Sequence, residues 1–189
     1  MTCKINADTT DGLKIVSDTS GIVEIQANGT KSNNLSFTGR IVQTVNTQTG
    51  AVATGTTTMP QDDTIPQNTE GVEFMTLAIT PTNSSNKLKI DVVWHGANSA
   101  SSGIMVAALF QDTTANALSA SSAGSTEAAN DMKDIVFSHF MTAGTTSETT
   151  FKVRAGLNAA GTTTFNGVSS SRRLGGVFAS SITIQEIEV

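Results

Sequence analysis

Tyrosine is absent from this sequence, and tryptophan and cysteine occur once each. Since Cys3 is alone, no intramolecular disulfide can form. Recognition surfaces favour Tyr, Trp and Arg because these side chains give large, rigid contacts, so the chain is poorly equipped for an aromatic sugar-binding platform. Its one tryptophan, Trp94, falls on the apolar face of a predicted strand, and we expect it in the core.

Charge of either sign is also scarce, since only 14% of the residues are charged and the net charge is −5. The eleven Lys and Arg residues are scattered, and only Arg172 and Arg173 are adjacent. Binding to a phosphate backbone requires cations that displace counterions. We therefore expect no nucleic-acid partner.

Long hydrophobic runs are missing too. No stretch approaches the ~18 apolar residues of a membrane-spanning helix, so we expect no membrane insertion. The start, MTCKINADTTDG, lacks the basic flank and apolar run of a secretory signal. Together with the lone cysteine, these features favour synthesis in a bacterial-type cytoplasm.

What the sequence has in abundance is β-forming polar residues, including thirty threonines. Short alternating segments separated by turn residues predict eight or nine strands, and hence an all-β fold, an antiparallel β-sandwich or jelly roll. These strands are predicted within the strand-like segments 39–49, 50–58, 72–81, 87–96, 103–112, 115–120, 134–143, 149–157, 161–167 and 180–189. Long loops are predicted at 59–71 and 121–133.

The first 38 residues differ from the rest. Residues 13–17 (LKIVS) and 22–26 (IVEIQ), with DTSG between them, predict a β-hairpin, followed by a linker over 31–38. Two strands alone are marginally stable in water, so the hairpin needs a partner surface. We predict that residues 1–38 form an attachment arm and residues 39–189 a jelly-roll knob. The arm's contacts are assigned to the apolar residues of the two strands: Leu13, Ile15, Val16, Ile22, Val23 and Ile25.

Some central strands are apolar on both faces. In GIMVAALF (103–110) and DIVFSHFM (134–141), both alternating sets of side chains are largely hydrophobic. Because a sandwich covers one face of each strand, a second subunit is the simplest cover for the other face. The alternative is a strand buried under a loop. The predicted subunit interface comprises Met105, Ala107, Leu109, Val136, Phe140 and His139; for His139, on the face of Ile135 and Phe137, burial in the core is the alternative.

Motifs for catalysis are not found: there is no GxSxG, no phosphate-binding loop, no HExxH and no CxxC. His95 and His139 lie in separate predicted strands. The acid pairs Asp62–Asp63 and Glu70–Glu73 are candidates for a glycosidase, but any two acids of an acidic chain can be paired on paper. We expect no enzyme activity, no cofactor and no bound metal.

Four stretches carry a resemblance to a known family. DGLKIVSDTSGIVEIQANGT (11–30) resembles the N-terminal segment of bacteriophage virion structural proteins. IDVVWHGAN, GIMVAALFQD and the end RRLGGVFASSITIQEIEV resemble their C-terminal jelly roll, which is similar to tumour necrosis factor-like domains. The resemblance implies a homotrimer, located in the virion, whose partners are other copies of itself and virion proteins such as the major capsid protein or tail proteins. It implies no catalytic residues.

Position in the particle is a separate question. The chain shows no heptads or repeats that would build a long shaft. We therefore predict a capsid decoration (cement) or short head-fibre protein attached through its N-terminal arm. The alternative is a short tail fibre or adaptor whose jelly-roll loops bind a receptor, such as a host-surface glycan. A free-standing carbohydrate-binding module or an enzyme is a third possibility.

Overall fold

The computed structural model describes the backbone of residues 3–8, 12–17, 24–27 and 30–31, and residues 38–125 and 127–189 in full. The chain divides into two compact units, Met1–Phe37 and Thr38–Val189. Each unit is described by itself.

The N-terminal unit contains a four-stranded sheet of β1 (Cys3–Asp8), β2 (Gly12–Ser17), β3 (Glu24–Ala27) and β4 (Thr30–Lys31). The strand order is β2-β1-β3-β4. β1 pairs antiparallel with β2 and parallel with β3. The predicted hairpin of 13–17 with 22–26 is therefore wrong, because β1 lies between these two segments. The hairpin that forms is one strand earlier, between β1 and β2.

The regular structure of the second unit is almost wholly β-strand, and every pairing between its strands is antiparallel. Its strands are β5 (Ile41–Thr49), β6 (Ala53–Gly55), β7 (Val72–Ile79), β8 (Lys87–Asn98), β9 (Ile104–Gln111), β10 (Ser119–Ser125), β11 (Met132–Thr142), β12 (Thr149–Leu157), β13 (Thr163–Phe165), β14 (Gly167–Val168), β15 (Ser171–Arg172) and β16 (Ser180–Ile187). The predicted all-β antiparallel sandwich of jelly-roll type is confirmed.

Two sheets form the sandwich. One has the order β10-β9-β12-β7, and the other has β5-β16-β8 with β13 and β6 beyond. β8 pairs with β16 and β13 along one edge and with β11 along the other. A short hairpin, β14–β15, lies apart from both sheets.

The core lies between the sheets and follows from the alternation of each strand. On β8, Leu88, Ile90, Val92 and Trp94 are fully buried, while the residues between them are partly or fully exposed. The indole of Trp94 packs near two phenylalanine rings, Phe74 and Phe165, which stack with centroids 5.1 Å apart. The core position expected for Trp94 is confirmed.

Strand β9 is covered on both faces by its own chain. Met105, Ala107 and Leu109 are completely buried in the main core. On the opposite face, Val106, Ala108 and Phe110 pack against Met59, which lies in the loop between β6 and β7. A hydrogen bond of 3.0 Å from the Met59 N–H to the Leu157 carbonyl of β12 holds this loop in place.

The assignment of Met105, Ala107 and Leu109 to a subunit interface is therefore corrected. These side chains have no surface left for another subunit, because the opposite sheet covers them. The outer face of β9 is covered by Met59 from a loop of the same chain, which is the alternative to a subunit interface.

A buried carboxylate fixes the loop between β7 and β8. Glu186 of β16 is fully buried. Its oxygens accept hydrogen bonds from the Thr82 and Asn83 N–H groups, the Thr82 hydroxyl and the Asn86 and Gln43 amides, over 2.5 to 3.2 Å. Burial by itself raises the pKa of this carboxyl, but the hydrogen bonds from Gln43, Thr82 and Asn86 prevail and lower it to about 2.

Candidate interaction surfaces

An apolar stripe runs along the outer face of β11. Met132, Val136 and Phe140 are 41%, 64% and 59% exposed. They point the same way because they are separated by even numbers of residues along one strand. Among the described residues β11 pairs only with β8, so it is an edge strand of the sheet. We call these three residues the β11 stripe.

Polar side chains that already bind one another surround the β11 stripe. Asp91 of β8 accepts hydrogen bonds from Lys89, at 2.7 Å, and from Ser138 of β11. Burial works to raise the pKa of Asp91, but these hydrogen bonds and the Lys89 charge lower it. The Nδ1 of His95 lies 2.5 Å from a carboxylate oxygen of Asp134. The outer face therefore combines satisfied polar groups with a row of exposed hydrophobic ones.

His139 faces inward, unlike its neighbours Val136 and Phe140. It is paired with Ile90 of β8 and is partly buried, and this burial lowers the pKa of its imidazole. Its assignment to the interface is corrected, because alternation along β11 turns it toward the core. Of the six residues predicted for the interface, the structure leaves Val136 and Phe140 exposed. Met132, which the sequence argument did not include, joins them.

A cavity of about 420 Å³ lies between the loop before β7 and the start of β10. Its lining combines two carboxylates and two hydroxyls with apolar groups: Asp62, Asp63, Thr64, Ile65, Pro66, Ala117, Leu118, Ser119 and Ala120. A smaller cavity of about 190 Å³ adjoins it and shares Asp62, Thr64, Pro66 and Ala120. We call the larger one the acidic groove.

Asp62 is held in a defined position in the acidic groove. Its Oδ1 accepts hydrogen bonds from the hydroxyl and the backbone N–H of Thr64. These bonds lower the pKa of Asp62, so its carboxylate is ionised at neutral pH. Among the ion pairs of the described residues, none involves Asp62 or Asp63.

The segment 169–177, which we call the basic tip, forms the third surface. Leu174 and Val177 are 70% and 83% exposed, and Arg172 and Arg173 beside them are exposed too. In the described part of the chain these two arginines take part in no ion pair. The basic tip thus presents two cations and two hydrophobic side chains to its surroundings.

The backbone of the basic tip is tightly defined. Ser169 and Ser170 have φ of 50° and 60°, at the turn between β14 and β15, and Leu174 has φ of 48°. Non-glycine residues with positive φ are uncommon and are kept only where surrounding contacts fix them. Gly50 provides one such contact, since a Cβ at this position would lie 1.8 Å from the Gly176 carbonyl oxygen.

The other candidate acids, Glu70 and Glu73, are held by different groups. Glu70 accepts a hydrogen bond from the Gln67 N–H at 2.9 Å, whereas Glu73 lies 3.7 Å from Arg154 and 3.9 Å from Lys152. Within the described residues, no three His, Cys, Asp or Glu side chains cluster as metal ligands. Nor does any helix there have the length and apolar character needed to cross a membrane.

The residues assigned to the attachment arm lie in the N-terminal unit. Leu13, Ile15 and Val16 belong to β2 and Ile25 to β3. Ile22 and Val23 lie outside the described residues.

No protein-family model matches this chain, and no curated protein matches it. Some solved structures are similar to it at low identity and low TM-score. The CBM22-1 xylan-binding domain of Paenibacillus barcinonensis Xyn10C is 13% identical, with a TM-score of 0.38 over 80% of this chain and 97% of that domain. A chain from the structure of infectious bursal disease virus, Gx strain, is 10% identical, with a TM-score of 0.35 over 97% of this chain and 51% of that one.

A phage protein is also among the similar structures. The enzymatically active domain of tailspike protein 4 from bacteriophage CBA120 is 16% identical, with a TM-score of 0.25 over 69% of this chain and 20% of that one. This chain thus spans about half of the matched virus chain and a fifth of the tailspike chain. Likenesses at these TM-scores carry no argument about function.

Proposed function

We propose that this chain is a non-enzymatic structural protein of a bacteriophage virion. In this proposal the jelly-roll unit forms a homotrimer, and the N-terminal unit attaches it to the shell as a decoration or short head-fibre protein. The β11 stripe is the observation that carries the proposal. It is an exposed apolar row on an edge strand that pairs only with β8 among the described residues. Such a row promotes aggregation of a single molecule and provides a contact for an assembled one.

The energy available from the β11 stripe is adequate for a subunit contact. Burying a whole large apolar side chain contributes about 1.5–3 kcal/mol. Met132, Val136 and Phe140 each have roughly half of that surface still to bury. Their burial therefore contributes about 3 kcal/mol per subunit, before any hydrogen bonds along the strand edge.

The polar residues around the β11 stripe support the same proposal. Asp91, Lys89 and Ser138 already satisfy one another, so a neighbouring subunit could cover this face without leaving them unpaired. Buried polar groups are tolerated at an interface when they keep their hydrogen bonds. His95 and Asp134 form a second pair of this kind.

Attachment is assigned to the N-terminal unit because it is a compact unit separate from the jelly roll. Among the strands that the structure describes in this unit, β2 and β4 are the two at the edges of the sheet. Exposed strand edges can pair with a strand of another protein. Three copies held in one trimer would bind a shell with greater avidity than one copy.

A second candidate function is binding of a host-surface glycan, as in a short tail fibre or adaptor. The acidic groove favours it, because carboxylates and hydroxyls such as Asp62, Asp63 and Ser119 line a cavity of about 420 Å³. These groups can hydrogen-bond sugar hydroxyls. The groove contains no aromatic ring on which a sugar could stack, and for this reason we rank the glycan function second.

Quantitative mass spectrometry of purified particles tests the proposed function. As a shell decoration, the chain should be present at a copy number comparable to that of the main shell protein. A much lower copy number, together with binding of the purified chain on a glycan array, would favour the tail-fibre alternative. Absence from the particles would refute both.

A further inference from the structure

The basic tip and the acidic groove are complementary in charge and in character. The basic tip carries the cations Arg172 and Arg173 around the exposed Leu174. The acidic groove carries the carboxylates Asp62 and Asp63 beside an apolar wall that includes Leu118. The positive charges of the basic tip therefore match the negative charges of the acidic groove, and each surface also has an apolar part.

The two surfaces belong to opposite sheets of the sandwich. The basic tip leads into β16, a strand of the sheet that contains β8. The acidic groove borders β10, a strand of the other sheet. Neither surface forms an ion pair within the described residues, so the charges of both are available to another molecule.

We propose that the basic tip of one copy docks in the acidic groove of the next copy, so that the trimer closes through three head-to-tail contacts. This inference rests on the proposed homotrimer and adds the residues that set its direction. A contact between two different patches is heterologous, and it forms either a closed ring or an open filament. A closed ring leaves no basic tip and no acidic groove unused.

Sizes and chemistry fit this docking. The acidic groove has room for roughly a dozen waters at the ~30 Å³ each occupies in the liquid, and so for a leucine side chain with an adjoining guanidinium. Arginine pairs with a carboxylate through two parallel hydrogen bonds. Interface centres are enriched in arginine and hydrophobic anchors of the kind that the basic tip presents.

The defined backbone of the basic tip lowers the cost of docking. Hydrogen bonds from the Gly176 N–H to the Arg173 carbonyl, at 3.0 Å, and from the Val177 N–H to the Leu174 carbonyl, at 3.2 Å, close the turn. A segment already held in its bound shape loses less conformational entropy on association. Asp62 is similarly held by Thr64.

Charge reversal in the full-length chain tests the docking. Arg172→Glu with Arg173→Glu should raise the dissociation constant of the oligomer about 100-fold, because like charges then meet at the contact. Asp62→Arg with Asp63→Arg should do the same. Combining all four substitutions restores opposite charges and should return the dissociation constant to within about tenfold of the wild-type value. Sedimentation velocity across a dilution series measures each constant.

A matched control carries the same charge change elsewhere. Glu127 and Glu148 are exposed acids outside both surfaces, and Glu127→Arg with Glu148→Arg should leave the assembly unchanged. Circular dichroism verifies that each variant is folded. If both double variants assemble like the wild type, or the folded quadruple variant does not recover, the inference is wrong.

The outcomes separate this inference from the proposed function. Loss of assembly on Phe140→Asp, with charge-reversal variants that assemble normally, would keep the homotrimer and reject the docking. A monomeric wild type would reject both. A glycan that binds to the acidic groove of the intact oligomer would also overturn the docking, because the basic tip of a neighbour would then not occupy it.

Discussion

The buried carboxylate of Glu186 makes the stability of the jelly roll depend on pH in a defined way. Glu→Gln at position 186 removes the charge while keeping the shape of the side chain. The remaining carbonyl oxygen cannot accept all the hydrogen bonds that Thr82, Asn83, Asn86 and Gln43 donate to the carboxylate. We expect the variant to fold with a looser connection between β7 and β8.

The magnitude follows from the pKa. The pKa of Glu186 is lowered from 4.5 to about 2 in the folded chain. Each pKa unit corresponds to 1.36 kcal/mol, so ionised Glu186 stabilises the fold by about 3 kcal/mol at neutral pH. Because the folded pKa is the lower one, this stabilisation is present above about pH 4.5 and is lost as the pH falls toward 2.

Urea unfolding at pH 7, 4 and 2.5 measures this contribution. The free energy of unfolding of Glu186→Gln should be about 3 kcal/mol lower than that of the wild type at pH 7, and the difference should shrink steadily at the two lower pH values. Glu188→Gln is the control, because Glu188 is partly exposed and its ion pair with Arg40 is worth at most about 1 kcal/mol. Equal stabilities of wild type and Glu186→Gln at pH 7 would refute the reasoning.

Three further substitutions test other parts of the structure. Gly50→Ala should lower the melting temperature, because its Cβ would lie 1.8 Å from the Gly176 carbonyl oxygen and overpacking of this kind costs about 1–3 kcal/mol; differential scanning calorimetry would detect it, and an unchanged melting temperature would contradict it. Phe165→Ala removes a buried ring stacked on Phe74 and should lower the free energy of unfolding by about 3–5 kcal/mol in urea titrations; a loss below about 1 kcal/mol would count against the core described above. Burial lowers the pKa of His139, so protonation of this histidine favours the unfolded chain. Acidification from about pH 8 to pH 5 should therefore destabilise the wild type more than His139→Gln. Parallel pH profiles of the free energy of unfolding would disprove this.

Strands with strong alternation could be predicted well from the sequence. The prediction of 149–157 coincides with β12, Thr149–Leu157, because apolar residues alternate with charged ones over 151–155. β10 extends over Ser119–Ser125, whereas the sequence predicts a loop from residue 121 onward. Its Ser, Ala and Gly residues have weak β-propensity, so the local sequence does not indicate a strand. The strand forms because its backbone pairs with β9.

The sequence of β1 contains a strand pattern that the predicted hairpin does not use. Cys3, Ile5 and Ala7 alternate with Lys4, Asn6 and Asp8, a period of two that indicates a strand. The predicted hairpin pairs β2 with the segment of β3 and omits β1, which lies between them in the sheet. The choice of partner is a long-range property that periodicity cannot determine.

The interface prediction is wrong for β9 and stays a prediction for β11, and the physical reason is the same. Two-sided apolar strands show that both faces need cover, but they do not show what supplies it. For β9 the cover is Met59, which is remote in sequence. For β11 the structure leaves Val136 and Phe140 exposed, and these are the positions where a second copy could provide the cover.

Sedimentation equilibrium of the purified full-length chain at micromolar concentration tests the central claim most directly. The account predicts a single species of about three times the 19.6 kDa chain mass, and its conversion to folded monomers by Val136→Asp with Phe140→Asp. A stable wild-type species of 19.6 kDa under the same conditions would contradict it.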